Sequence, residues 1–399
     1  MSQKNILVLG AAQSCLGIIK TIKRMGHKAL VVGNNKDLPG IKIADHYLIT
    51  EDNHVDEVIS FAKKTGVDGI VPTPVDRPLV WMAQVAERLK LPFLSVEAAQ
   101  NFRHKYRMKQ CLQNAGVPCA KGILVESPDN LEEALDGFSF PLIVKPIDGY
   151  ASRGVVKVDN HIELKQYARE AASFSSNAHF VVEEFIEGRE FNAEGVCFQG
   201  TVEVYAIVEK VRDPFPRTIE MGHIVPPDIT SEEEEIVVDT VSRAVLSLGM
   251  ANGAFNAEIK IHEGKGSIIE VNGRLAGDFI ISHLLKPTIG QDMEEAVVNI
   301  ALGIAPEKAR RAYQKHGIIS FFNLPPQKRI EKVHDFSKLY DDKDLIWAHL
   351  FFQEGDIIPQ VMHMGHRSGF VILTARNRKK LLETTEALKT KILNLIELI

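Results

Sequence analysis

The chain has 399 residues, 45% hydrophobic and 25% charged, enough for two to four domains with buried cores and unlike a disordered tail, a collagen-like repeat or a disulfide miniature. Lys and Arg number 47 against 52 Asp and Glu, a formal charge of −5, which argues against broad electrostatic binding to nucleic acid or to an anionic membrane. The four cysteines, Cys15, Cys111, Cys119 and Cys197, form no C-x-x-C pair and predict reduced thiols of a cytoplasmic protein.

The amino-terminal stretch alternates strands and helices. Four apolar residues before Gly10 read as a buried strand at 6–9, too short for a signal peptide, and no run nears the roughly 18 apolar residues of a membrane span. A helix is expected over 15–25, a strand over 29–32, a helix over 55–64, a strand over 69–71, a helix over 79–89 and a short strand at 93–94. Short apolar runs spaced by helical segments predict a parallel sheet with crossover helices. Gly10 and Gly17 do not make the G-x-G-x-x-G spacing and no acidic residue ends the second strand, so a nicotinamide-binding module is a weak reading.

Beyond residue 98 the pattern changes. A basic amphipathic helix is predicted over 101–115, stopped by Gly116-Val117-Pro118. Two strands over 141–158 bracket a glycine-containing loop, further strands fill 180–208, and 212–227, with four prolines, reads as a loop able to act as a lid. An acid-capped helix over 231–249 precedes a hairpin over 253–271. The remainder predicts a strand at 369–374 and a helix at 381–396.

The hairpin carries the most chemistry. Both halves alternate apolar and polar residues, and a turn near Gly264 sets Glu258 opposite Glu270, with Asn272 on the same face. Opposed like charges weaken a sheet, and a divalent cation between them removes the conflict; carboxylate and amide oxygens suit Mg²⁺, with Mn²⁺ as the alternative. Lys105 on its helix and Lys145 at a strand end are candidates for phosphate binding, and the loop containing Ser152 and Gly154 could close over an anion. That loop is not a P-loop, because Val155-Val156 replaces Lys-Ser/Thr and a strand follows. The run Glu183-Glu184-Phe185-Ile186 with Glu190 could pair an adenine edge through its backbone and hold a ribose.

In this order the residues resemble the ATP-grasp superfamily over roughly residues 2–303, the specific part being Glu258 with Glu270-Val271-Asn272-Gly273-Arg274. The resemblance implies an N-terminal parallel α/β domain (1–95), a two-lobed ATP-grasp domain (96–304, small lobe about 112–182) and a small C-terminal α+β subdomain (305–399). It implies Lys105 and Lys145 on the phosphates of ATP, Ser152 and Gly154 in the closing loop, Glu184, Phe185 and Ile186 along adenine, Glu183 at its amino group and Glu190 on the ribose. Glu258, Glu270 and Asn272 would ligate magnesium. Glu220-Met221-Gly222-His223, and Arg274 followed by Leu275-Ala276-Gly277-Asp278, are most similar to bacterial L-amino acid ligases and more distantly to biotin carboxylase and D-alanine–D-alanine ligase. In such ligases a matching Glu and His line the substrate pocket and the Arg sits by the transferred phosphate; Asp278 departs from the bulky aromatic of some of them. The implied activity is a carboxylate–amine ligation through an acyl phosphate on small-molecule substrates, with catalytic roles for Arg274, His223 and Glu220, in a protein expected to be a homodimer. The rival readings are another ATP-grasp reaction, in purine biosynthesis or carboxylation, and a non-catalytic nucleotide-binding regulator.

Overall fold

A computed structural model describes residues 2–131 and 135–399. The strands β1 (Asn5–Leu9), β2 (Lys28–Gly33), β3 (His46–Ile49) and β4 (Gly69–Val71) form a parallel sheet in the order β3-β2-β1-β4. Its two faces are covered because β1 and β2 are apolar almost throughout: Leu7, Leu9 and Leu30 pack under the helices Val55–Thr65 and Leu79–Leu89, while Ile6, Val8 and Val31 pack towards Leu16–Arg24. The exposed β3 carries no strong hydrophobic alternation. Residues 93–94, expected as a strand, are irregular chain whose Leu94 is buried against the next helices.

The predicted helix over 101–115 is two helices, Val96–Arg103 and Lys105–Asn114. His104 breaks them: its backbone is extended and its imidazole accepts from the Arg107 N–H at 3.2 Å, capping the second helix. Strands β5 (Gly122–Val125), β6 (Leu142–Pro146), β7 (Val156–Val158) and β8 (Phe180–Glu184) make a four-stranded antiparallel sheet, β5-β8-β6-β7, backed by the helix His161–Ser173.

The large sheet runs β13-β12-β9-β10-β11-β14-β17-β16. It comprises β9 (Arg189–Phe198), β10 (Thr201–Arg212), β11 (Glu220–Val225), β12 (Asn252–His262), β13 (Lys265–Asn272) and β14 (His316–Phe322). Two C-terminal strands, β16 (Leu345–Leu350) and β17 (Gly369–Ala375), complete it, while β15 (Ile330–Val333) and β18 (Ile396–Leu398) pair separately beside the helix Arg378–Leu393. The C-terminal α+β part is thus joined to the large lobe through a shared sheet, and the helix expected over 381–396 ends at Leu393, with Ile396 opening β18.

Alternation along β9 and β12 decides which residues meet. Phe191, Ala193, Phe255, Ala257 and Ile259 face the capped helix Ser231–Ser247 with its Val237, Val241 and Val245. Glu190, Asn192, Glu194, Asn256, Glu258 and Lys260 therefore share the other face. Each fully buried large apolar side chain stabilises by about 1.5–3 kcal/mol, and a one-residue slip would turn them all outward, so the apolar face fixes the polar one. Among the described residues no helix is long and apolar enough to cross a membrane.

Candidate active site

The polar face of the large sheet is the floor of a cleft of about 400 Å³, roofed by β6, β8 and the loop 149–154 of the small lobe and closed at one end by the N-terminal domain. Glu258 and Glu270 are paired in register on β12 and β13, and Asn272 pairs with Asn256 one step along the same face. A bulge after Glu258 shifts the register only beyond them.

Cations from three elements, the helix Lys105–Asn114, β6 and β10, converge on the acids of the cleft. Lys105, the first residue of its helix, lies 3.1 Å from Glu270 and donates to the Gly149 carbonyl at 3.0 Å. Lys145 and Lys109 flank Glu183 at 2.8 and 3.0 Å. Burial alone would raise the Glu183 carboxyl, yet the two lysines outweigh it and hold it below the usual carboxylate range. Lys210 on β10, whose side chain is 0% exposed, sits 3.0 Å from Glu190, 2.7 Å from Glu220 and 3.0 Å from Glu258. Burial opposes its charge, but the three carboxylates raise its pKa further than burial lowers it. Arg212 also pairs with Glu190, which is held low against the opposing effect of burial by Lys210 and Arg212.

Glu258 behaves differently. Burial raises its carboxyl; Lys210 offsets part of this, and Glu220, Glu270 and Glu190 push it further up. A divalent cation would relieve that crowding of acids, and two carboxylates with an amide oxygen are the hard donors Mg²⁺ takes while keeping waters and phosphate oxygens in its shell. The residues present fit the ion.

Beyond this point the cleft becomes a second compartment. His223 on β11 is 0% exposed, with neither ring nitrogen hydrogen-bonded, and its Nε2 lies 3.6 Å from both Glu220 Oε2 and Asp278 Oδ2. Arg367 grips Asp278 with both Nη atoms at 3.0 and 2.9 Å, donates to the Glu220 carbonyl at 3.0 Å and lies 3.5 Å from the Phe321 ring centroid. Burial would raise the Asp278 carboxyl, but Arg367 and His223 hold it far below its ordinary value. Glu220, His223 and Asp278 bring ligand atoms within 4.8 Å of one another. Arg367 takes both oxygens of Asp278, and Lys210 and His223 flank the two oxygens of Glu220, so this group reads as a pocket wall.

Of the site residues predicted from sequence, all but Gly154 line the cleft; Gly154 lies against Phe174, Pro146 and Ala171, and the setting of several others differs from expectation. Glu220 and His223 lie on a strand of the central sheet, because the predicted loop over 212–227 is irregular at 213–219 and 226–227 with β11 between; Gly222, His223, Ile224 and Val225 are buried in a β-ladder with β10 and β14. Glu183 and Glu190, expected at adenine and ribose, have their carboxylates engaged by Lys109, Lys145, Lys210 and Arg212. The carbonyl of Ile186 accepts from Lys260 at 2.6 Å. Ser152 stands at φ +56 and Gly154 at φ +67, and the Ser152 hydroxyl donates to the Thr218 carbonyl at 3.0 Å, so loop 149–154 is docked on loop 213–219. Sequence reasoning missed Asp76, Lys109, Lys210, Arg212 and Arg367. Beyond the bulge at Val204–Ala206, the alternation of β10 could have placed Lys210 and Arg212 on one face with Val208; nothing local marks Asp76 or Arg367.

Residues 138–282 match the ATP-grasp domain family. That match takes in the paired acids Glu258 and Glu270 on the floor of the cleft, so this part of the chain is an ATP-grasp domain. The chain is similar to alanine–anticapsin ligase of Bacillus subtilis (strain 168), 28% identical over 275 residues that make up 63% of this chain and 57% of that protein. It thus spans little more than half the length of that relative. Dapdiamide A synthase of Enterobacter agglomerans is 23% identical over 96% of this chain and 94% of its own. The crystal structure of L-amino acid ligase from Bacillus licheniformis superposes with a TM-score of 0.86 at 23% identity, covering 100% of this chain and 99% of that one.

Proposed function

We propose that the chain is an ATP-dependent ligase that joins a carboxylate to an amine, with amino acids as substrates. The observation that carries this reading is the continuity of one cleft from the acid pair Glu258–Glu270, flanked by Lys105 and Lys145, to the compartment of Arg274, Glu220, His223 and Asp278. Such a shape lets a nucleotide and a second molecule meet end to end.

A substrate carboxylate oxygen attacks the γ-phosphorus in line; the bond to the bridging β–γ oxygen breaks, giving an acyl phosphate and ADP. Lys105, Lys145 and Arg274 offset charge on the phosphoryl oxygens, which is most of what a protein contributes to this step. Glu258, Glu270 and Asn272 would hold a magnesium ion, which would supply further charge neutralisation there. The amine nitrogen then bonds to the acyl carbon, the C–O bond to phosphate breaks, and the amine proton passes to a base. His223, buried between two carboxylates with both nitrogens open, is the group suited to take it. Loop 149–154, docked on loop 213–219, shields the acyl phosphate from water.

The test is a phosphate-release screen of amino acid pairs with Mg-ATP, read with mass spectrometry of the product. Release that needs two amino acids and yields their amide supports the ligase; release stimulated by bicarbonate instead would favour a carboxylation reaction.

A further inference from the structure

Asp76 belongs to the N-terminal domain, in the loop that follows β4. That is the carboxyl end of a parallel strand, where α/β sheets gather ligands. Its side chain leaves its own domain and meets Arg274, which follows β13 of the large lobe. Asp76 Oδ1 accepts from Arg274 Nε at 2.6 Å and Oδ2 accepts from Nη2 at 3.2 Å, while Nη1 donates to the Leu275 carbonyl at 2.9 Å. The two side chains are 16% and 13% exposed and line the same cleft as Lys105 and Glu270.

A guanidinium has five N–H donors in one rigid plane. The three contacts above occupy three of them and fix the plane; one donor on Nη1 and one on Nη2 remain. An unsupported arginine would have to be ordered in each turnover, whereas a held one meets developing charge without rearrangement. Burial opposes ionisation of Asp76, but Arg274, with Arg103 and Lys105 beyond it, keeps its carboxyl below the usual range, so the brace is charged.

We infer that Asp76 is a positioning residue: it clamps Arg274 from the neighbouring domain so that the two remaining N–H groups face the phosphoryl group in transfer. The N-terminal domain is then part of the phosphoryl site as well as a packing partner. The inference rests on the ligase reading, which assigns Arg274 to that group.

The experiment uses the full chain saturated with Mg-ADP and titrated calorimetrically with inorganic phosphate. Asp76→Asn keeps the shape and loses the charge; Arg274→Lys keeps the charge and loses the fork. Both are expected to bind Mg-ADP within about twofold of wild type and phosphate about tenfold or more weakly, the scale of one charge-assisted contact. In amide formation Asp76→Asn should lower kcat by a similar factor with KM for ATP unchanged, and Asp76→Glu should restore part of it. If Asp76→Asn binds phosphate as wild type does and changes only the melting temperature, Asp76 is an interdomain tie and the inference fails. A raised KM for the carboxylate substrate at unchanged kcat also overturns it, by making Asp76 a substrate contact. A wild-type chain that binds no Mg-ADP fails at an earlier step, and then the nucleotide reading falls and takes the inference with it.

Discussion

Lys210 carries more electrostatic weight than any residue the sequence singled out. Its ammonium lies within 3.0 Å of Glu190, Glu220 and Glu258, on a side chain with no exposed surface. Removing one member of such a buried group leaves charge without a partner, which costs about 3–5 kcal/mol. Lys210→Met should therefore lower stability by about 3 kcal/mol or more, and added Mg²⁺ should return part of the loss in a thermal melt; a variant as stable as wild type would contradict this account of the floor. Glu270→Gln removes a proposed cation ligand and leaves the apolar face untouched. It should reduce ATP turnover more than about 100-fold with an unchanged circular dichroism spectrum. The acids were readable because strand alternation and hairpin register are local: Gly264 turns the chain, and Glu258 then falls opposite Glu270. Their counter-charges come from distant elements, and of these Lys109 and Arg367 gave no local signal.

At the scale of elements, proline density over 212–227 concealed a strand. Pro214 and Pro216 lie in the loop, and Pro226 and Pro227 follow the last residue of β11, so the ladder between them loses no donor. The loop 213–219 also carries Arg217, which reaches Glu170 on the helix His161–Ser173 and ties the small lobe to the large one. On its far side a short turn, Met364–His366, meets loop 149–154 through the Met364 N–H and the Ala151 carbonyl at 3.2 Å, and Arg367 follows it directly. C-terminal chain thus shapes the substrate end of the cleft. Arg367→Met leaves Asp278 unpaired beside His223. It should raise KM for the substrate bound there about tenfold or more, with KM for ATP unchanged; equal KM values in variant and wild type would remove Arg367 from the pocket. The split helix at 103–105 escaped prediction for a simple reason: its stop is a histidine cap, with no glycine or proline to announce it.

Across the whole molecule, the order of the parts was legible and their mutual contacts were not. Periodicity distinguishes a parallel α/β unit from antiparallel lobes, but the ion pair between Asp76 and Arg274 joins residues far apart in sequence. Glu294 is a second such contact: it lies at the junction of the N-terminal domain and the large lobe and accepts from the Thr21 hydroxyl at 2.8 Å. Burial, assisted by Asp292, raises its carboxyl to about 7, with Thr21, Lys286 and Arg24 opposing. The folded chain then keeps a proton that the unfolded chain releases near 4.5, so this contribution is fully present below that pH and is lost as pH rises through about 7. Glu294→Gln should raise the melting temperature relative to wild type at pH 8 and lose that advantage by pH 5; parallel curves at all pH values would contradict the assignment. The central claim remains the cation held between neighbouring strands of the large sheet. Its most direct test is a crystal grown with ADP and Mn²⁺, read by anomalous scattering. The account predicts a peak bridging Glu258 and Glu270 beside Asn272, against the phosphates. Bound nucleotide with no peak there, or a peak at Glu220, His223 and Asp278 instead, would contradict it.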